Sequence, residues 1–456
     1  MRLTLLLILL VNSIFAQSSF TLQEAVDYAI TNSNDVRLAE IEVKDAKAKV
    51  TEYKAIGLPQ INGYLKYQHF MQIPVSPTPD FLTPSVYQIL VEEGVPGVEP
   101  YTGTPEVFQF TFQQRNNLNA GIEGSWLLFD GSYLSGLKAA RLYKELTTKS
   151  LDIAEEQIRA NVTKAYMNIL ISEENKKTLK DNLDNLDKIL TETRAYYEEG
   201  LLESLDVSRI ELSYENIKTE FEKLDQYIDI SYNLLKFQMS YPLSDEIIIT
   251  EDLDKLVDLF QIEAVDLDES IMFENRAQYD QILSTIELNE MNLQRLKRGY
   301  LPNLSARANY NQIMQRSDLF DSEEFGFIPQ SSVSLSLNVP IFDGFMKKGQ
   351  VQQAKITLEQ LDIQKFEFER AMTLQVNNSR MQYINAKKTL ENRRKSLTIV
   401  EDIYDKTSIK FKEGVGSSIE LTQAESQLLD AQSNYINALY DLLISKTELD
   451  IALGKI

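Results

Sequence analysis

Two very long stretches of helical pattern, neither of which contains proline, constrain this chain more than any other feature of its sequence. They run from residue 132 to 197 and from residue 345 to 411, and a short turn with a Glu-Gly pair follows each, at 198–204 and at 412–418. At 1.5 Å per residue, a helix of about 65 residues is roughly 100 Å long. Few soluble domains need such a helix, whereas a structure that crosses the space between two membranes would. We therefore expect two long helical hairpins, with these turns at their tips.

The two tips, and the sequences that follow them, are similar to each other. Gly200 and Gly414 suit the left-handed residue that closes a helix, and Ser204 and Ser418 are candidate N-caps for the next one. Apolar residues then recur at spacings of three and four, which predicts a coiled-coil seam. The seam positions of the second half lie 214 residues after those of the first: Val207, Ile210, Tyr214, Ile217, Phe221, Leu224 and Ile228, then Leu421, Ala424, Leu428, Ala431, Tyr435, Ala438 and Leu442.

Four short segments alternate between apolar and polar residues, which is the pattern of β-strands. They lie at about 58–70, 117–130, 301–313 and 331–343, and each is about as long as one tilted transmembrane strand, roughly ten residues. A soluble, half-buried sheet would show the same alternation. Because these strands are the only strong sheet signal in a long, mostly helical chain, we predict a small membrane barrel. The second and fourth strands are expected to end in the same tripeptide: Phe129, Asp130 and Gly131, then Phe342, Asp343 and Gly344.

A long segment that is rich in proline joins the first two strands. Seven of the 12 prolines lie between Pro74 and Pro105, which predicts a loop without secondary structure. The link between the third and fourth strands, Met314 to Gln330, is shorter and polar. Long loops on one side of a barrel are typical of the extracellular side of outer-membrane proteins. His69, the only histidine, falls at the end of the first strand, where we expect a structural role.

The order of the elements predicts an internal two-fold repeat. Residues 1–16 have the positive start and the apolar core of an export signal. The first repeat is expected at 17–243 and the second at 266–456, with a connector at 244–265 between them. Each repeat contains a helix, two strands, a long helix, a tip and a return helix, and the first of these helices is expected to run unbroken from Phe20 to Ile56. Matching anchors in one order, with one insertion in the loop that is rich in proline, indicate a duplication.

Composition excludes several classes of protein. The absence of cysteine excludes disulfides, a thiol nucleophile and a lipid-bearing cysteine, and a single histidine excludes a metal site built from several histidines. The formal net charge of −22 argues against a nucleic-acid partner, which requires a basic face. No set of nucleophile, base and orienting residue is visible, so we predict neither an enzyme nor a bound cofactor or metal.

With these features the chain resembles the outer membrane efflux proteins, the TolC-like channels, over essentially its whole mature length. The resemblance is carried by the opening helix with Leu22, Ala25 and Ala29, by two Leu-Pro strand starts, by the two Phe-Asp-Gly sequences and by the two tips. It implies a homotrimer in the cell outer membrane. Three protomers would contribute four strands each to one barrel of twelve strands, and their helices would continue as a hollow α-barrel through the periplasm. The tips would close the tunnel and dock a periplasmic adaptor bound to an inner-membrane pump.

The physical chemistry of the bilayer also requires several copies of the chain to assemble. Four strands leave two open edges, which hydrocarbon does not tolerate, so the sheet must close with other subunits. Two copies would give a barrel whose interior is filled by side chains, whereas three copies leave a wider lumen.

The resemblance also implies the positions of a gate and of a docking surface. Family members have two acidic residues, one turn apart, just after the second tip, and these positions correspond to Glu420 and Gln423. Only the first is acidic, and a basic tip position corresponds to Gly416, so a single acidic ring at the pore aperture is implied. The expected contacts with the adaptor are Gly200, Leu201, Ser204, Asp206, Gly414, Val415 and Ser418.

The predicted function is that of a passive channel across the outer membrane and the periplasm, which exports small molecules as part of a tripartite pump. Two alternatives remain open: the outer membrane channel of a type I protein secretion system, and a periplasmic coiled-coil scaffold that is not a channel. Partition into the outer membrane would separate the channels from the scaffold.

Overall fold

The protein is represented by a computed structural model that describes residues 18–104, 106–111, 113–251, 253, 271–318 and 326–455. The predicted export signal at 1–16 and most of the predicted connector at 244–265 lie outside the described residues. The chain divides into two compact units, one of Met1–Ala48, Ala140–Glu290 and Lys355–Ile456, and the other of Lys49–Ala139 and Met291–Ala354.

The described elements alternate between a few strands and long helices. In chain order they are β1 (Ser18–Phe20), α1 (Leu22–Asn32), α2 (Asn34–Ile56), β2 (Gln60–His69), β3 (Ser76–Pro79), α3 (Leu82–Glu92), β4 (Val107–Phe110), β5 (Asn116–Phe129), α4 (Gly131–Glu198), α5 (Ser204–Met239), β6 (Ile247–Ile249), a 3-10 turn (Phe273–Asn275), α6 (Ala277–Arg298), β7 (Asn303–Arg316), β8 (Ile328–Asn338), α7 (Met346–Lys412) and α8 (Ser418–Leu453).

The first unit is held together by an apolar core between its helices. Tyr166 of α4 and Leu443 and Leu449 of α8 have no exposed surface, as the spacing of three and four residues along each helix requires of one face. Helix α7 adds Val376 and Tyr383 to this core. Other apolar side chains of α7 remain exposed, with Ile363 65% and Phe366 58% accessible.

The helix predicted from Phe20 to Ile56 is broken at Ser33, so this prediction is wrong. The Ser33 N–H donates to Ala29 O (2.7 Å), which ends α1, and the Ser33 hydroxyl accepts from the Asp35 N–H (3.2 Å), which caps α2. Serine competes well for backbone groups in this way, and this is why it favours helix ends. Before α1, strand β1 pairs in parallel with β6.

The second unit is built on a four-stranded antiparallel sheet in the order β2-β5-β7-β8, which leaves β2 and β8 as its edges. Paired positions give each face its own chemistry. One row across the sheet is Ile61, Gly124, Ala308 and Val333, and the next row, on the other face, is Asn62, Glu123, Asn309 and Ser332. The apolar face is exposed within the protomer, with Ile61 74% and Val333 81% accessible.

The sequence predicted the end of the fourth strand too far along the chain. Strand β8 ends at Asn338, so Phe342, Asp343 and Gly344 follow the strand instead of closing it, whereas Phe129 is the last residue of β5. The reason is Pro340, which has no N–H to donate to a neighbouring strand. The single histidine lies at the end of β2, where its Nδ1 is 2.7 Å from Asn116 Oδ1.

The segment from Pro74 to Pro105, predicted to be a plain loop, contains strand β3 and helix α3. The Asp80 carboxylate accepts hydrogen bonds from the Leu82 and Thr83 N–H groups (3.0 and 2.9 Å) at the start of α3. Proline is tolerated in the first turn of a helix, where its missing N–H would have no partner. Counting prolines without regard to their position therefore gave the wrong prediction.

Candidate aperture at the helical tips

Both long helices end in the same hydrogen-bonded turn. At the first tip the Gly200 N–H donates to Tyr197 O and the Leu201 N–H donates to Tyr196 O, both at 2.9 Å. The second tip repeats the two bonds at 3.0 Å, from Gly414 to Phe411 and from Val415 to Lys410. This is a Schellman turn, which needs a left-handed residue after the helix. Gly200 and Gly414 supply it, with φ of 75° and 71°.

The predicted N-caps, Ser204 and Ser418, are wrong by one position, because both are already helical. The residues that cap α5 and α8 are Glu203 and Ser417. The hydroxyl of Ser417 accepts the N–H of Glu420 at 3.3 Å, as an N-cap should. Ser418 is therefore released from the capping role and its hydroxyl can make another contact.

That contact joins the two hairpins. The Ser418 hydroxyl donates to Asp206 Oδ1 (2.5 Å) and accepts from Arg209 Nη1 (3.2 Å), which itself lies 3.8 Å from Asp206 Oδ1. The two long helices, α4 and α7, are joined as well, because Lys412 Nζ lies 3.7 Å from Glu192 Oε2. The tips of one protomer are thus linked to each other by a small polar network.

The predicted docking residues differ in how far this network buries them. Ser418 is 1% exposed within the protomer, and its contact with an adaptor stays a prediction. Asp206 is half-buried in the same link, whereas Gly200, Ser204 and Gly414 are exposed.

Four apolar side chains are exposed at the tips. Leu201 and Val415, both predicted as contacts, are 68% and 78% exposed. Leu205 and Ile419, which the sequence analysis missed, are 51% and 53% exposed. The separation of 214 positions, which relates Leu201 to Val415, also relates Leu205 to Ile419, and this signal could have revealed them.

The two residues predicted at the aperture lie on one face of the first turns of α8. Glu420 and Gln423 are both exposed, whereas their neighbours Leu421 and Ala424 are buried in the seam against the other helices. Within a protomer the Glu420 carboxylate therefore points away from the packed core.

A second acidic residue near the predicted aperture, Glu425, was missed. It is 5% exposed, it lies beside the apolar cluster that includes Ala424 and Leu428, and within the described part of the structure its Oε2 has no hydrogen-bond partner. Burial raises the pKa of Glu425 to about 7, although a hydrogen bond to the Ser213 hydroxyl opposes the shift. Burial, reinforced by the Glu425 charge, also raises the pKa of Tyr404 to about 12.

The described residues hold no group of three or more acidic or histidine side chains that could bind a metal ion. None of the described helices is long and apolar enough to cross a membrane.

Comparisons with known proteins give a consistent result. A family model described as "Outer membrane efflux protein" matches residues 101–237 and 289–455. The outer membrane protein TolC of Vibrio cholerae is 20% identical over 350 residues, which cover 74% of this chain and 76% of TolC. Among solved structures, CusC superposes with a TM-score of 0.73 at 15% identity, covering 95% of this chain and 92% of CusC. VceC from Vibrio cholerae gives 0.70 at 15% identity, with 95% and 96% covered.

Proposed function

The chain belongs to the outer membrane efflux protein family, and on this premise we propose that it is the passive channel of a tripartite pump, carrying small molecules from an inner-membrane pump and its periplasmic adaptor across the outer membrane. It is an outer membrane protein, and its family consists of channels. The proposal adds the assembly, the conducting path and the cargo class.

The open sheet is the observation that carries the proposal. Its edge strands β2 and β8 are unpaired within the described protomer, and one of its faces is apolar and exposed. Hydrocarbon tolerates a sheet only when no backbone edge remains open. Strand β8 of one copy and β2 of the next would run antiparallel, so several copies can close a barrel without breaking the alternation. Three copies give twelve strands, with the polar face turned to a water-filled lumen.

The helices support the same assembly. The exposed apolar side chains Ile363 and Phe366 of α7 would be covered by the neighbouring protomer in a hollow α-barrel. The long helices have 68 and 67 residues and both return helices 36, which supports the duplication inferred from the sequence. Three protomers would therefore present six similar tips to a periplasmic adaptor, which would contact Leu201, Leu205, Val415 and Ile419.

In the trimer, three copies of Glu420 surround one axis. Rings of acidic side chains favour cations in channels. The tip link between Asp206 and Ser418 would hold the two hairpins of each protomer together at this aperture.

The test is conductance in a planar lipid bilayer, using protein extracted in detergent and never heated. We expect a particle containing three copies and discrete conductance steps. A folded monomer that produces no steps would support the coiled-coil scaffold instead and would contradict the proposal.

A matched pair of variants in one strand makes the test specific to the orientation of the sheet. Leu335 lies on the apolar face of β8 and Ser334 on the polar face. Leu335→Lys should lower the yield of membrane-inserted trimer, since a lysine on the lipid face costs about 2–4 kcal/mol at mid-membrane. Ser334→Lys, on the lumen side, should insert normally and change only the conductance. Equal yields of the two variants would contradict this orientation.

A further inference from the structure

An apolar stripe continues beyond the end of strand β8. Val333, Leu335 and Leu337 lie on the apolar face of the sheet, and the same alternation extends to Val339 and Ile341 after the strand has ended. All five side chains of the stripe are at least half exposed, and Ile341, at its end, is 94% accessible. An isoleucine this exposed is unfavourable in water, so the stripe needs an apolar cover.

The turn after the stripe is strained. Gly344 and Phe345 are both left-handed, with φ of 66° and 67°. A bulky residue rarely adopts this conformation, and such strain clusters at functional positions. At the corresponding junction, Gly131 is already the first residue of α4, and no residue there has positive φ. The strained turn leaves Phe342 and Phe345 75% and 67% exposed.

Two lysines follow the exposed aromatic rings. Lys347 Nζ lies 5.6 Å from the centre of the Tyr300 ring, and Lys348 Nζ lies 5.7 Å from that of Phe345. Lys347 also lies 3.5 Å from Asp343 Oδ2. Among the described residues, no carboxylate lies within ion-pair distance of Lys348.

The helix itself does not explain this pair of lysines. They lie in the first turn of α7, where a cation faces the positive end of the helix dipole. They also form a basic patch on a chain whose net charge is −22. Between them and the rings lies a cleft of about 260 Å³, which is also lined by Pro340, Ile341 and Asp343, the ion-pair partner of Lys347.

We propose that this cleft binds the phosphate-bearing headgroup of an anionic phospholipid at the periplasmic boundary of the outer membrane. The acyl chains would cover the stripe that ends at Ile341, while Lys347 and Lys348 would neutralise the phosphate. Aromatic rings beside basic residues are typical of membrane interfaces and of lipid-headgroup sites. The stripe also continues the face of the sheet that the proposed barrel turns to lipid. The inference rests on that orientation but not on conduction.

The experiment is native mass spectrometry of the detergent-extracted protein in equal amounts of phosphatidylglycerol and phosphatidylcholine. The wild-type protein should retain phosphatidylglycerol preferentially. The double variant Lys347→Gln, Lys348→Gln should lose that preference by about fivefold for each lysine, because a basic residue near an anionic surface contributes about 1 kcal/mol. The preference should also weaken at high salt.

Lys387 and Lys388 supply the matched control. They are also adjacent, exposed lysines of α7, about 40 residues or roughly 60 Å further along the helix. The variant Lys387→Gln, Lys388→Gln has the same change of charge and should retain phosphatidylglycerol like the wild type. If both double variants lose lipid equally, or neither does, the cleft is not the site.

Phe345→Gly separates lipid binding from stability. Glycine adopts the left-handed conformation without strain, so the melting temperature should hold or rise. Retention of phosphatidylglycerol should nevertheless fall, because the ring that lines the cleft is lost. If this variant or the Lys347, Lys348 variant instead dissociates the trimer, the face is a contact between copies and the inference is overturned. A trimer that conducts but shows no headgroup preference would refute the lipid site and leave the channel proposal intact.

Discussion

Glu425 ties the packing of the tips to pH. Its pKa is raised from the usual 4.5 to about 7, so the folded protein holds a proton that the unfolded chain has already released. The contribution of this carboxyl group to the free energy of unfolding is therefore complete below about pH 4.5. It is lost as the pH rises towards 7, and it does not change further above that. A shift of this size corresponds to roughly 3 kcal/mol. We therefore predict that the packing of the tips is more stable at acidic pH.

Melting of the detergent-extracted protein between pH 5 and pH 9 checks this prediction. The wild-type melting temperature should fall as pH rises through about 7, and Glu425→Gln, which mimics the protonated acid, should show a flatter curve. Glu420→Gln removes an exposed carboxylate five residues away and should follow the wild-type curve. Identical curves for wild type and Glu425→Gln would show that Glu425 does not carry the effect.

Glu420 provides a separate prediction about selectivity. Glu420→Gln should lower the preference for cations in planar bilayers, because it removes the only charge from the proposed ring. Gln423→Glu, on the same exposed face one turn further, should raise the preference. Both effects should shrink at high salt, where exposed charges are screened. Reversal potentials that neither substitution changes would locate the aperture elsewhere.

The sequence revealed those residues at the tips whose role depends only on local backbone. Gly200 and Gly414 were predicted as left-handed helix ends because glycine is the residue that most often closes a long helix in that conformation. The contact between Ser418 and Asp206 was missed, since the two residues are 212 positions apart and no local pattern brings them together. Glu425 was missed because an acidic residue at the margin of a seam is usually exposed, and only the neighbouring helices bury it.

Among the elements, the helical tips depend most directly on backbone conformation. Replacing Gly200 and Gly414 together with Val forces a branched side chain into a left-handed turn, at about 1–2 kcal/mol for each position. Export should fall in cells while the yield of membrane-embedded trimer stays near that of the wild type. Gly349→Val is the control, because this glycine lies inside α7 without positive φ and with open space around it. Normal export by the double variant would mean that the tips are not the docking surface.

Element boundaries were predictable where one physical rule acts alone. The helix predicted at 132–197 occupies Gly131–Glu198, because nothing within it competes with the helical pattern. The strand predicted at 331–343 instead occupies Ile328–Asn338. There, the alternation of side chains continues to Ile341 after Pro340 has stopped the hydrogen bonding. Side-chain pattern and backbone pairing disagree at this point, and a prediction from pattern alone follows the side chains.

At the scale of the whole molecule, the closure of the barrel can be tested through its edges. The sequence contains no cysteine, so two introduced thiols are the only ones present. Gln60 begins β2 and Asn338 ends β8, both on the polar face. Oxidation of the variant Gln60→Cys, Asn338→Cys should link copies into covalent dimers and trimers, visible on denaturing gels. Pairing Gln60→Cys with Ser336→Cys, two residues along the same face, tests the register. Monomers from both variants would contradict an antiparallel junction between copies.

The parallel pairing of β1 with β6 determines how late in synthesis strand β1 can meet its partner strand. Phe20 pairs with Ile249, 229 positions later in the chain, and its carbonyl also accepts the Tyr166 hydroxyl. A chain synthesised from its amino end at about 5–20 residues per second presents Ile249 roughly 10 to 50 seconds after Phe20. Over that interval the first strand has no partner within its own protein. Strand β1 can therefore be paired only after more than half of the chain has been made.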